Sequence, residues 1–107
     1  MKIFSQKLFL GPPDTGCQHE TVTVKTVTKR WGNENSWTIG SCASSSQFGD
    51  DKTVTQTCCL AKGSYSLECK DTYGDGWHGG YLKINGKRKK FCKGFTTGHK
   101  KTESVTI

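Results

Sequence analysis

Ser64-Tyr65-Ser66-Leu67-Glu68-Cys69 alternates without a break, with Tyr65, Leu67 and Cys69 on one side and Ser66 and Glu68 on the other. That period of two is the pattern of a half-buried β-strand. Asp71-Thr72-Tyr73-Gly74-Asp75-Gly76-Trp77-His78-Gly79-Gly80 follows, a glycine-rich turn that carries two carboxylates. Tyr81-Leu82-Lys83-Ile84 then alternates again, with Leu82 and Ile84 inward. Asn85-Gly86 is a hairpin signal, because a type I′ turn needs positive φ at both central residues. The return strand is expected to run through Lys87-Arg88-Lys89-Lys90 towards Phe95.

The same alternation appears on both sides of this stretch, and helical periodicity is hard to find. Thr21 to Thr28 is a run of β-branched residues, with Val22 and Val24 on one face. Val27 breaks that phase, which predicts a bulge near Lys25. Ser36 to Ile39 and Thr53 to Leu60 read as further strands, and Cys42 to Asp51 as a loop. Lys2 to Leu10 reads as a first strand, ended by Gly11-Pro12-Pro13. Glu103 to Ile107 closes the chain with Val105 and Ile107 inward. About eight short strands with glycine turns between them predict an all-β fold, an antiparallel β-sandwich of jelly-roll type.

A chain of 107 residues is one domain, 1–107, and only 32% of it is apolar. Such a core is thin without covalent help. Six cysteines, Cys17, Cys42, Cys58, Cys59, Cys69 and Cys92, can supply three disulfides, each worth about 2–4 kcal/mol. No CxxC pair or zinc-type Cys/His spacing is present. Adjacent strand residues point to opposite faces, so Cys58 and Cys59 should tie one strand to two different partners. Cys69 and Cys92 flank the glycine loop and its hairpin and are the preferred pair; which of Cys58 and Cys59 takes Cys17, and which Cys42, stays open. Disulfides imply an oxidising compartment and hence secretion. Met1 to Leu10 is too interrupted for a signal h-region, so the chain reads as a mature secreted protein or an excised domain. No apolar run is long enough for a membrane-spanning helix.

Oxygen-rich flexible loops suit Ca²⁺, which takes 6–8 oxygen ligands. Asp71 and Asp75 are the side-chain candidates, and Glu34 could supply a third from another strand. The spacing is not that of an EF-hand. The alternative is that both aspartates only cap turns through Asx hydrogen bonds. The run Cys69-x-Asp71-x-Tyr73-Gly74-Asp75-Gly76-Trp77-x-Gly79-Gly80 resembles a motif of small secreted β-sandwich modules found in extracellular proteins of marine eukaryotes, protists and bacteria. Glu34-x-x-Trp37 and Leu60-x-x-Gly63-x-Tyr65 look like two further pieces of it. These modules are similar to CUB-like sandwiches, whose acidic loops often hold Ca²⁺ and present a ligand. The resemblance therefore implies Glu34, Asp71 and Asp75 as the metal set. It spans about Trp31 to Ile107 and leaves out the basic run Lys87–Lys90.

The net charge is +7, and between Gly76 and Thr102 there is no acid. Lys83, Lys87, Arg88, Lys89, Lys90, Lys93, Lys100 and Lys101 all lie in that interval, and their mutual repulsion would be relieved by an anion. The alternative is an edge strand guarded by lysines against aggregation. Trp77 and His78 are expected to shape the contact beside Lys83, Lys87–Lys90 and Lys93. Trp31, Trp37, Trp77, Tyr73 and Tyr81 could form a sugar-stacking platform if exposed; Trp31 is the one expected at the surface, and Trp37 and Trp77 suit a core. No catalytic motif occurs, so an enzyme is not expected. The resulting expectation is a secreted module that binds an acidic or sulfated glycan, with Ca²⁺ ordering the Asp71–Gly80 loop. Alternatives are a cationic toxin or host-defence protein acting on an anionic membrane surface, and a protein-binding or inhibitory module. Nucleic acid is disfavoured by the extracellular setting and by the lack of any recognised binding pattern.

Overall fold

The computed structural model describes residues 17–45 and 48–107; the strand expected at Lys2–Leu10 lies outside them. Two four-stranded antiparallel sheets face each other. We number the strands β1 Glu20–Val27, β2 Asn35–Ile39, β3 Cys42–Ala43, β4 Thr53–Leu60, β5 Ser64–Asp71, β6 Tyr81–Ile84, β7 Lys90–Phe91 and β8 Lys100–Thr106. The first sheet has the order β4-β1-β6-β7 and the second β3-β2-β5-β8. Among the described residues no helix is long and apolar enough to cross a membrane.

Each strand gives its alternate residues to the space between the sheets. Val22 and Val24, Cys58 and Leu60, and Leu82 and Ile84 line the first sheet. Trp37 and Ile39, Leu67 and Cys69, and Val105 line the second, and Trp77 and Phe95 plug the core from loops. Ile107 is partly buried against the same core.

The bulge expected near Lys25 is absent. β1 and β4 pair in continuous register from Glu20 opposite Leu60 to Val27 opposite Thr53. The phase of β1 is kept by Thr26 and Thr28, which are buried, while Val27 points outward. Two threonines can sit inside because their hydroxyls are satisfied. Thr26 Oγ1 accepts the Trp37 indole N–H at 3.0 Å. Thr28 Oγ1 donates to the Gly49 carbonyl at 2.6 Å and accepts from the Lys52 amide at 3.0 Å.

Three disulfides close the structure: Cys17–Cys59, Cys42–Cys58 and Cys69–Cys92. Cys58 faces the core and crosses to β3, joining the edge strands of the two sheets. Cys59, on the outer face of β4, takes Cys17 instead. On the other side, Cys69 of β5 joins Cys92 just after β7, so this bond also links the sheets, as its flanking position had suggested.

The β6–β7 hairpin departs from expectation in two ways. Only Gly86 has positive φ, and the Lys87 amide donates to the Ile84 carbonyl at 2.9 Å, which makes a type II rather than a type I′ turn. The return strand is only Lys90–Phe91, paired with Lys83 and Leu82. Beyond it Cys92 adopts φ 68° and the chain turns away from the sheet. That departure frees Phe95 to accept the Trp77 amide and to fill the core.

Candidate cation and ligand site

Glu34, Asp71 and Asp75 come together at one end of the sandwich, with carboxylate oxygens within 4.8 Å of one another. Three different pieces of chain place them. Asp71 is the last residue of β5, opposite Asn35 at the start of β2. Glu34 ends a 3₁₀ turn, Gly32–Glu34, entered through Trp31 in the left-handed conformation. That turn is held down by the Gly32 amide donating to Asp50 Oδ1 at 3.1 Å, and by the Thr72 amide donating to the Glu34 carbonyl at 3.1 Å. Gly32 is required here, because a Cβ would lie 2.1 Å from the Gly49 carbonyl oxygen.

Asp75 is positioned by a loop folded around Asp71. Asp71 Oδ1 accepts the Tyr73 amide at 3.2 Å, and Oδ2 accepts the Asp75 amide at 2.6 Å. The segment before β8 braces the loop from outside. The Asp71 amide donates to the His99 carbonyl, and the Gly98 amide to the Gly74 carbonyl, each at 2.9 Å. His99 Nδ1 lies 3.1 Å from the Asp71 carbonyl and can donate to it in the matching tautomer.

The carboxylates are unequal. Burial raises the pKa of Glu34, and the nearby charges of Asp75 and Asp71 raise it further. Burial also pushes Asp71 up, but the hydrogen bonds it accepts from Asp75, Tyr73 and Gly76 outweigh this and hold it below the ordinary aspartate range. Glu34 Oε1 is buried without a hydrogen-bond partner. So are both amide atoms of Asn35, a fully enclosed residue next to Glu34 and across from Asp71. An orphaned buried acceptor beside two other carboxylates is an unfavourable arrangement that a hard cation would relieve. The all-oxygen donor set fits Ca²⁺ or Mg²⁺ better than a thiophilic metal.

Above these acids the surface opens into a cleft of about 300 Å³ lined by Trp31, Asn33, Glu34, Tyr73 and Asp75. Trp31 and Tyr73, at 51% and 77% exposure, are the exposed large hydrophobic side chains among the described residues, and both border this cleft. Trp31 is therefore at the surface as expected. Trp77 is not part of a ligand surface: it is fully buried, and its indole N–H donates to the Lys70 carbonyl at 2.8 Å. His78 stays at the surface, in left-handed backbone conformation, with Nε2 3.2 Å from Asp75 Oδ2.

The basic residues lie elsewhere. β6 lies between Gly80, packed against Val27 and Thr28 at the acidic end, and Asn85, whose amide donates to the Thr23 carbonyl. The Asn85-Gly86 turn and Lys87 are thus at the opposite end of the sandwich from Glu34, Asp71 and Asp75. A composite site of acidic loop and hairpin turn does not form. Nor is the acid-free interval acid-free in space. Glu103 of β8 reaches Lys89 Nζ at 2.7 Å and accepts the Cys92 amide at 2.7 Å. Lys83 Nζ donates to the Arg88 carbonyl, and Lys90 Nζ sits 4.8 Å from the Tyr81 ring centroid. Arg88 and Lys93 are exposed. One cation was missed in the sequence: Lys25 of β1 lies directly opposite Lys83.

No protein family, curated protein or solved structure matches the chain.

Proposed function

We propose that this protein is an extracellular binding module that takes an acidic or sulfated glycan at the Trp31–Tyr73 cleft, with Ca²⁺ held by Glu34, Asp71 and Asp75. The observation that carries the reading is the orphaned, buried Glu34 Oε1 among three carboxylates at the base of a cleft bordered by two exposed aromatic rings. The rings supply flat apolar faces for a sugar. The bound cation would offset two of the three carboxylate charges, and its remaining coordination positions would take oxygens of the ligand. Three disulfides in so small a fold support an extracellular setting. The resemblance of the loop to the motif of small secreted β-sandwich modules supports the same metal set.

Calorimetric titration of the chelated protein with Ca²⁺, followed by a glycan array with Ca²⁺ and with chelator, tests it. A Ca²⁺-dependent rise in melting temperature and Ca²⁺-dependent glycan signals are expected, both lost in Glu34→Gln and Asp75→Asn. No heat of Ca²⁺ binding, or array signals indifferent to chelator, would overturn it.

A further inference from the structure

The outer face of the first sheet carries a second arrangement, independent of the cleft. Thr55 of β4, Lys25 of β1, Lys83 of β6 and Lys90 of β7 are successive cross-strand partners, so three cations stand side by side across three strands. Neighbouring strands are about 4.8 Å apart, so the cations span about 10 Å. Like charges directly opposite one another destabilise a sheet. No ion pair involves Lys25, Lys83, Lys87 or Lys90 among the described residues. The remaining outward positions of these strands are hydroxyl-rich, with Thr21, Thr23, Thr53, Thr55 and Thr57 and no carboxylate. A groove of about 340 Å³ runs beside the row, lined by Thr23, Lys25, Lys83, Asn85 and Lys87 among others.

We propose that this face is a Ca²⁺-independent site for the sulfate groups of a linear sulfated glycan. Lys25, Lys83 and Lys90 take successive sulfates across the strands, Lys87 closes the groove at the turn, and the hydroxyls of Thr23 and Thr55 donate to the same oxygens. Charge-assisted bonds of this kind are stronger than neutral ones. A glycan suits the face better than a lipid surface, because Val27 and Tyr81, its apolar side chains, are both half-buried and offer no wedge for hydrocarbon. The loop cations contribute less: Lys89 is already paired with Glu103, and Arg88 and Lys93 lie outside the row.

Heparin-affinity chromatography of the whole chain in chelator tests the site apart from the calcium cleft. The double variant Lys25→Gln/Lys83→Gln is compared with Arg88→Gln/Lys93→Gln, which removes the same charge. The first should weaken binding about tenfold or more and elute at lower salt, while melting close to the parent, because the repulsion removed offsets the loss of the exposed Lys83–Arg88 carbonyl hydrogen bond. The second should elute close to the parent, and Glu34→Gln should not matter. Equal losses in the two double variants would show diffuse charge attraction and overturn the site, as would unchanged retention. Co-sedimentation with phosphatidylserine-containing vesicles without heparin retention would overturn the glycan assignment.

Discussion

The indole N–H of Trp37, in one sheet, donates to the hydroxyl of Thr26, in the other, at 3.0 Å with both residues fully buried. This bond crosses the core and fixes the facing of β1. Thr26→Val keeps the shape but leaves the indole N–H unpaired, and should destabilise the protein by about 1–3 kcal/mol. Urea denaturation would measure it; a change within error would mean that the bond adds nothing to the packing.

Glu103 gives the fold an acid-sensitive contact. Burial raises its pKa, but Lys89, the Cys92 amide and the charge of Lys101 outweigh that and bring it below its ordinary 4.5. A carboxylate with a lowered folded pKa contributes stability above its unfolded value and loses it as pH falls through the folded one. Stability should therefore decline below about pH 4.5. In Glu103→Gln that part of the decline should be missing, and stability at neutral pH should be lower. Parallel denaturation curves across pH would decide.

The glycines of the acidic loop separate two costs. Gly76 and Gly79 both have positive φ, but a Cβ at Gly76 would lie 2.3 Å from the Phe95 carbonyl oxygen, whereas Gly79 has nothing within 4 Å. Gly79→Ala should cost about 1–2 kcal/mol from backbone conformation alone. Gly76→Ala should cost clearly more and also weaken Ca²⁺ binding, since it pushes the loop off Phe95. Thermal melts and Ca²⁺ titration of the two variants check the order.

Removing Cys69–Cys92 should be the most damaging disulfide loss, although Cys17–Cys59 closes the longer loop, 42 residues against 23. Chain entropy separates the two by only about 0.5 kcal/mol. Cys69 and Cys92 are fully buried between the sheets, so their replacement by alanine also leaves a cavity. Melting temperatures of the paired Cys→Ala variants would test this ranking.

Trp31→Ala and Tyr73→Ala should change stability by no more than about 0.5 kcal/mol, as surface substitutions usually do, yet reduce glycan binding at the cleft. Equal binding with either ring removed would take the aromatic pair out of the site.

Alternation and turn residues by themselves determined the sandwich, because a strand's facing is a local property of period two. Thr53–Leu60 and Tyr81–Ile84 begin and end where their patterns predict. Alternation failed at Val27, where apolar character pointed one way and the Trp37–Thr26 bond the other. The partner of that bond lies in a different sheet, invisible to a local pattern. The same limit governs the sites. Glu34, Asp71 and Asp75 could be named from residue type and resemblance, but only the fold brings their oxygens within 4.8 Å. Lys25 is an ordinary strand lysine in sequence and becomes part of a cation row only through its register with Lys83. Conversely, Lys89 looked unopposed in its acid-free interval and is neutralised by Glu103 from β8. Residue chemistry is written along the chain; which charges meet is set by strand pairing, and that was decided in three dimensions.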